Sequence, residues 1–364
     1  MLFLEMKKTT THIYITYTDW NLMKKLIHTL FVSNSQKISL FLLTLISVTT
    51  LSGCKPAQQT PITLTDFALN TVVSVSVYDK KEEPLLKDAI ALCKSYEDKL
   101  STTISGSDVY RINHAQQQPV VVDKDTYLLL KEAYRYCEDT NGALDITILP
   151  AKNLWDFTLT NPTLNDIPTK ESLSQAIAHV NYQNIKFDDS TLSVQLTDPL
   201  SMIDLGCIAK GYIADQIKQY LMEHGVEHGI INLGGNVLTI GTKPDGSTYQ
   251  VGIQKPFDQN QTPITTISTS NQSIVTSGIY ERCFLLNDHV YHHILDTKTG
   301  FPIDNDLLSV TIISDSSTQG DALSTYCLTL GRQKGMEYID SLDNVDAIFI
   351  DKDYQIYDTR QNVK

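Results

Sequence analysis

The chain has 364 residues and a formal net charge of −13, from 29 basic and 42 acidic side chains. This acidic balance excludes a protein that binds nucleic acid through a basic surface, and the length allows one large domain or two ordinary ones. The 6 cysteines include no C-x-x-C pair, so neither a zinc site nor a disulfide framework is indicated.

The start of the chain has the features of a lipoprotein signal. An apolar run, Ile38–Thr50, follows Lys37 and is followed by Leu51-Ser52-Gly53-Cys54. The run is short for a membrane-spanning helix, which is the alternative interpretation. We therefore expect Cys54 to become the lipid-bearing first residue of an exported protein anchored to the membrane surface.

These features predict three parts of the chain. Residues 1–53 are expected to be a removed signal peptide, and Met23-Lys24-Lys25 is a more natural start than Met1. Residues 54–61 form a short polar tether, and residues 62–364 form the functional domain.

Beyond the tether, apolar spacing predicts helices and strands. The predicted helices are Pro84–Leu100, Asp125–Thr140, Ser172–His179, Lys210–His224 and Asp321–Gly331. The predicted strands are Thr71–Tyr78, Ile230–Ile240, Tyr249–Gln254, Thr262–Ser268, Cys283–Leu286 and Ser309–Ile313, with hairpins over Ile185–Leu196 and over Ala347–Ile350 with Gln355–Tyr357. Runs of strands broken by separate helices favour an α+β fold.

Several short segments carry oxygen or nitrogen groups suited to a phosphate ester and a hard cation. Asp321, Ser324 and Thr325 share one side of a predicted helix and offer oxygen ligands to Mg²⁺, although Asp321 could instead cap that helix. Lys210 lies near a predicted helix N-terminus, where a phosphate could bind, but no Walker A sequence is present. Asn232–Asn236 and Thr276–Gly278 are either ligand loops or plain turns.

A histidine pair supplies the candidate general base. His293 could take a proton from an attacking hydroxyl, because the ordinary pKa of histidine lies near neutrality. The adjacent His292 is equally placed in the sequence, and spacing does not distinguish the two. A purely structural histidine is the competing interpretation.

Taken together, and in their order along the chain, these segments resemble the ApbE family of FAD:protein FMN transferases. Members of that family are lipoproteins that attach FMN to threonine in target proteins. The resemblance runs from Leu69 to Gly331. It includes Gly142–Thr147, Leu154-Trp155, Asp204–Asp215, Asn232–Asn236, Thr276–Arg282, His293–Pro302 and Asp321–Thr325.

The resemblance implies a T-fold-like α+β core of mostly antiparallel strands with packed helices, and it makes residues 62–364 a flavin transferase catalytic domain. It implies that Mg²⁺ binds Asp321, Ser324, Thr325 and the backbone carbonyl of Cys207, and that His293 is the general base. The residues it implies for FAD, the substrate, are Leu69, Thr103, Ala143, Leu144, Asp145, Asp204, Lys210 and Leu295. The implied partner is a threonine-bearing protein, a subunit of a membrane redox complex.

The chain departs from the family pattern in three places. Leu69-Asn70-Thr71 replaces the usual Met-Gly-Thr, Thr103 stands where an aromatic side chain could stack on the flavin, and Leu144 replaces a common Phe. These changes predict looser flavin packing. They keep two alternatives open: hydrolysis of FAD to FMN and AMP, and a lipid-anchored flavin-binding protein without enzyme activity.

Overall fold

The computed structural model describes residues 60–79, 82–260 and 262–361. The chain divides into two units, Met1–Gln58 and Gln59–Lys364, and the described residues all lie in the second. The predicted signal peptide and lipidated Cys54 therefore lie outside the described residues. No helix within the described ranges is long and apolar enough to cross a membrane.

The elements of this unit are helices and mostly short strands. The helices are α1 (Glu83–Leu100), α2 (Asp108–Asn113), α3 (Lys124–Asp139), α4 (Leu149–Lys152), α5 (Lys170–Ile177), α6 (Ala209–Glu223), α7 (Ser317–Leu330) and α8 (Arg332–Asp340). The strands are β1 (Ile62–Ala68), β2 (Thr71–Val77), β3 (Val120–Val121), β4 (Ile185–Asp188), β5 (Ser193–Leu196), β6 (Gly229–Leu233), β7 (Asn236–Ile240), β8 (Tyr249–Gln254), β9 (Pro263–Thr269), β10 (Ser273–Gly278), β11 (Cys283–Leu286), β12 (His289–His292), β13 (Leu307–Ser314), β14 (Asp346–Asp351) and β15 (Ile356–Asp358).

The largest sheet of the described residues has the strand order β1-β2-β6-β7-β10-β13-β14-β15, and every neighbouring pair is antiparallel. This confirms the predicted α+β class. The β1–β2 turn, the β6–β7 turn and the last residue of β10 lie at the same end of the sheet, because the registers place them side by side.

The two faces of the sheet are covered differently. Val73, Val75 and Val77 alternate along β2 and are fully buried in the main core, where α1 and α6 also place their apolar sides. On the opposite face, Ile253 and Ile267 of the β8–β9 hairpin pack against β10, β13 and β14. A smaller third core surrounds Trp155.

Most predicted elements are confirmed, with ends that move by one or two residues. The prediction of one strand over Ile230–Ile240 was wrong, because Gly234 and Gly235, both at positive φ, turn the chain between β6 and β7. Helix α7 begins at Ser317, four residues before the predicted start at Asp321. Strand β1 was not predicted.

Candidate active site

A cavity of about 580 Å³ opens at the end of the sheet where the β1–β2 and β6–β7 turns meet. This volume is within the usual range of roughly 300–1,000 Å³ for small-molecule and cofactor sites. The structure brings most of the predicted site residues to its wall. Those lining it are Leu69, Thr103, Ala143, Leu144, Asp145, Asp204, Cys207, Lys210, His293, Leu295, Asp321 and Thr325.

Asp321 lies inside α7 with 2% of its surface exposed. Its Oδ2 accepts a hydrogen bond from the Gly211 amide at 2.9 Å, and its Oδ1 lies 3.7 Å from Lys210 Nζ. Burying a carboxylate is costly unless charges or hydrogen bonds compensate. The start of α6 therefore supplies both a donor and a cation to this carboxylate.

Asp321 does not cap its helix, so that alternative was wrong. The N-cap is Ser316, whose hydroxyl accepts from the Gln319 amide. Asp215 reinforces this end from α6, because its carboxylate accepts from the Ser317 and Thr318 amides at 2.9 Å each. A negative charge at a helix N-terminus is favourable. Because Ser316 and Asp215 already satisfy this end of α7, Asp321 is not needed as a cap and is available to the cavity.

A chain of hydroxyl groups fixes the oxygen atoms beside Asp321. Ser324 donates to the Asp321 carbonyl at 3.0 Å, so Ser277, 2.7 Å away, must donate to Ser324. Thr325, 3.1 Å from Ser277, then donates to Ser277 and keeps both lone pairs of its own oxygen. Thr325 and Ser277 line the cavity, whereas Ser324 is fully buried behind them.

Cationic side chains also line the cavity, among them Lys152, Lys210 and Arg282. Lys152 Nζ lies 2.7 Å from Asp204 Oδ2, and the Gly206 amide donates to Asp204 Oδ1 at 2.8 Å. Burial alone raises the pKa of Asp204, but the Lys152 ion pair and the Gly206 hydrogen bond hold that pKa below its ordinary value. Asp204 is thus an anion that positions a lysine in the cavity wall.

The two histidines have different surroundings. His292 is buried, its Nε2 donates to the Ile303 carbonyl at 3.0 Å, and its Nδ1 accepts from the Ile294 amide at 3.3 Å. His293 lines the cavity, and its Nδ1 donates to the Arg282 carbonyl at 3.3 Å. The assigned hydrogen bonds therefore make His292 structural and leave Nε2 of His293 with a free lone pair.

Both imidazoles are neutral near pH 7. Burial lowers the pKa of His292 to about 4. Burial, reinforced by the positive charge of Arg282, lowers the pKa of His293 to about 3. A neutral His293 is in the protonation state that accepts a proton.

The buried His292 predicts a loss of stability in mild acid. The unfolded chain protonates this side chain near its ordinary pKa of about 6.5, whereas the folded protein resists protonation down to about 4. The stabilisation is therefore complete above about pH 6.5, and it falls by about 2 kcal/mol between about pH 7 and about pH 5. Urea unfolding of the wild type and of His292→Gln at both pH values measures this. Equal pH dependence in the two proteins would contradict it.

Asp145 holds a loop of the cavity wall. Its carboxylate accepts from the Thr147 amide and hydroxyl at 2.8 and 2.7 Å and from the Tyr182 amide at 2.9 Å. Burial raises its pKa despite these bonds. Because its oxygens are engaged, Asp145 positions Ala143 and Leu144 at the cavity.

Comparison with known proteins agrees with this geometry. A model of the ApbE family matches residues 69–349. The chain belongs to the ApbE family. An FAD:protein FMN transferase of Klebsiella pneumoniae is 37% identical over 276 residues, 76% of this chain and 84% of that protein. One of Treponema pallidum is 31% identical over 309 residues, 80% of this chain and 84% of that protein.

Solved structures of ApbE proteins share the fold. The ApbE protein of Thermotoga maritima superposes with a TM-score of 0.74 at 32% identity, covering 82% of this chain and 96% of that one. The flavin transferase ApbE of Vibrio cholerae gives 0.72 at 27% identity, covering 82% of this chain and 96% of that one.

The departures from the ApbE pattern lie at the cavity wall. Leu69 and Asn70 adopt φ of 53° and 55°, so the left-handed turn forms without the usual Gly, and Asn tolerates this conformation. Thr103 is exposed, and its hydroxyl lies 3.1 Å from that of Ser101. Leu144 is 5% exposed.

Sequence reasoning missed some cavity residues of this ApbE-family chain. Lys152 and Glu281 were not singled out, and Ser277 was noted only within an ambiguous loop. Lys152 meets Asp204 across 52 residues and Ser277 meets Thr325 across 48. No local pattern signals pairs so far apart. For Arg282, a signal was available, because it is the last residue of the family segment Thr276–Arg282.

Proposed function

We propose that this protein is a magnesium-dependent FAD:protein FMN transferase that moves FMN from FAD to a threonine hydroxyl of an acceptor protein and releases AMP. Family membership and the activity named for the Klebsiella and Treponema relatives support FAD as substrate and a protein as acceptor. One observation carries the chemistry: a single cavity is lined by oxygen-bearing Asp321 and Thr325, by cationic side chains and by a neutral histidine.

The residues present fit Mg²⁺. Asp321 and Thr325 offer hard oxygen donors on the cavity wall, and we propose the Cys207 carbonyl as a further ligand. Ser324, also implied by the family resemblance, is fully buried behind them, and we propose that it acts through its hydrogen bonds to Ser277 and to the Asp321 carbonyl. Within the described ranges no three His, Cys, Asp or Glu side chains cluster as a metal site. A cation here would therefore share its shell with water and phosphate oxygens, as Mg²⁺ usually does. When bound, Mg²⁺ would neutralise charge on the pyrophosphate.

The other residues have roles that follow from their positions. Lys152, Lys210 and Arg282 present positive charge to the pyrophosphate of FAD. Nε2 of His293 takes the proton of the acceptor hydroxyl as its oxygen forms a bond to the FMN phosphorus. The bond from that phosphorus to the bridging oxygen breaks, and AMP leaves with the bridging oxygen. Leu69, Thr103, Ala143, Leu144, Asp145, Asp204 and Leu295 are the proposed surroundings of FAD.

A mass-spectrometric assay tests the proposed function. The full-length protein is mixed with FAD, MgCl₂ and a protein with an accessible threonine, and both acceptor and nucleotides are weighed. We expect the acceptor to gain FMN, AMP to appear in equal amount, and EDTA to stop both. Free FMN with AMP and an unmodified acceptor would instead identify an FAD hydrolase. Intact FAD bound to the protein would identify a flavin-binding protein.

We also propose export and lipid anchoring at Cys54, facing a subunit of a membrane redox complex. The apolar run and the residues before Cys54 support this. Cys54→Ser is expected to move the protein from the membrane fraction to the soluble fraction of cells and to abolish labelling by palmitate. Unchanged fractionation and labelling would contradict the anchor.

A further inference from the structure

Exposed apolar side chains lie next to cavity-lining residues at the β1–β2 end of the sheet. Phe67 of β1 and Val72 of β2 form a cross-strand pair, with 64% and 61% of their surfaces exposed. The segment between them includes the cavity-lining residues 69–71. Since a strand rises about 3.3 Å per residue, the pair lies within about 7 Å of the cavity wall along the chain.

The pair faces away from the main core and has no partner in that core. Its strand neighbours Ala68 and Val73 are buried in the main core, and successive strand residues point to opposite faces. The edge of β1 is blocked at this point, because the Phe67 amide donates to Asp66 Oδ1, and Asp66 pairs with Lys94, at 2.7 Å each. An incoming polypeptide would therefore meet side chains here, not a free backbone edge.

A second exposed aromatic lies farther along the same end of the sheet. Phe257 is 44% exposed, and its ring centroid lies 5.9 Å from that of Tyr280. Gly278 and Glu281, on either side of Tyr280, line the cavity. Strands β2 and β10 are three places apart in the sheet, roughly 14 Å. Four or five residues of extended polypeptide span about that distance.

We propose that Phe67, Val72 and Phe257, here called the acceptor rim, bind apolar side chains of the acceptor protein. These side chains lie within about three residues of the modified hydroxyl, because an extended chain covers about 3.3 Å per residue between cavity and rim. The inference rests on the proposed function, which requires a polypeptide to bring its hydroxyl into the cavity. The rim adjoins cavity-lining residues at 69–71 and, through the contact of Phe257 with Tyr280, at Gly278 and Glu281, and burial of its exposed apolar surface would favour the complex.

The test compares Phe67→Ser/Val72→Ser with Val121→Ser. Val121 is a matched control: it is a strand valine with the same 61% exposure, and it does not line the cavity. FMN transfer is measured to an acceptor protein and to the peptide Gly-Thr-Gly, which has no apolar side chains. FAD affinity is measured by fluorescence.

For the double variant we expect the KM for the acceptor protein to rise on the order of 10-fold or more. Transfer to Gly-Thr-Gly and FAD affinity are expected to stay within about twofold of the wild type, which also shows that the variant folds. The Val121→Ser control is expected to match the wild type in every measurement. Phe257→Ser alone is expected to raise the same KM. A KM for the double variant equal to that of the control would overturn the proposal.

Other occupants of the rim give different results. A wild-type dimer that dissociates in the double variant during sedimentation, with the acceptor KM unchanged, would assign the rim to a second copy of the chain. Weaker flotation with phosphatidylglycerol vesicles, again with the KM unchanged, would assign it to the lipid surface. Either result overturns the acceptor rim. Failure of the proposed function is distinguishable, since the wild type itself would then transfer no FMN.

Discussion

Replacing Asp321 with asparagine is expected to lower the rate of FMN transfer at saturating FAD by on the order of 10²- to 10³-fold, the usual cost of losing one electrostatic contact in an active site. The carboxamide oxygen can still accept from the Gly211 amide, so the fold is retained. What is lost is the negative charge that we propose as a ligand of Mg²⁺. The dependence of the rate on MgCl₂ should shift to higher concentration.

The comparison for this variant is Asp245→Asn. Asp245 is an exposed turn residue outside the cavity wall, and its replacement removes the same charge. Transfer rates, and Mg²⁺ binding by calorimetry in the presence of FAD, are measured for both variants. The control is expected to behave as the wild type. If Asp321→Asn kept the full rate and the same response to MgCl₂, Asp321 could not be the metal ligand.

The sequence predicted elements whose signal is local. Helix α1 was found because the apolar residues Leu85, Ala89, Leu92, Tyr96 and Leu100 recur at helical spacing and a Pro lies in its first turn; of these, all but Leu92 are buried. Strand β1 was missed because it is an edge strand, and most of its residues are half-buried or exposed without clean alternation. The run Ile230–Ile240 is apolar on both sides of its glycines, so a turn and a continuous strand look alike in sequence.

For the candidate site, the residues were predicted but the contacts that hold them were not. Family resemblance located the residues that line the cavity, but it did not indicate how they are held. Helix α7 starts at Ser317, four residues earlier than predicted, with Ser316 as its N-cap, and Asp215, 102 residues before Ser317, reinforces that end. Likewise, the resemblance implied His293 as the base, but the hydrogen bonds that distinguish it from His292, to Arg282 and Ile303 respectively, were not predicted. These hydrogen bonds join residues 11 positions apart in the chain, so no local sequence pattern predicts them.

The second large effect is expected from Gly211→Ala. An added Cβ at this helical position would lie 2.2 Å from the Ser317 carbonyl oxygen and 2.8 Å from Asp321 Cβ. The oxygen belongs to the backbone of α7, so no side-chain rotation relieves the clash, and α6 and α7 must separate. Overpacking of this kind costs roughly 1–3 kcal/mol or more, against a gain in helix propensity of at most about 1 kcal/mol.

Separation of α6 from α7 would also lengthen the hydrogen bond from the Gly211 amide to Asp321 and move Lys210 away from that carboxylate. We therefore expect the alanine variant to lose both unfolding free energy, measured in urea, and Mg²⁺ affinity, measured by calorimetry with FAD present.

Gly335→Ala is the control that separates a loss of stability from a loss of Mg²⁺ affinity. Its Cβ would meet the Phe349 side chain at 2.7 Å, away from the cavity, so some stability is lost but the Mg²⁺ response is kept. A Gly211→Ala protein as stable as the wild type would show that α6 and α7 can move apart without cost, and that the close approach of these helices does not hold the Asp321 site.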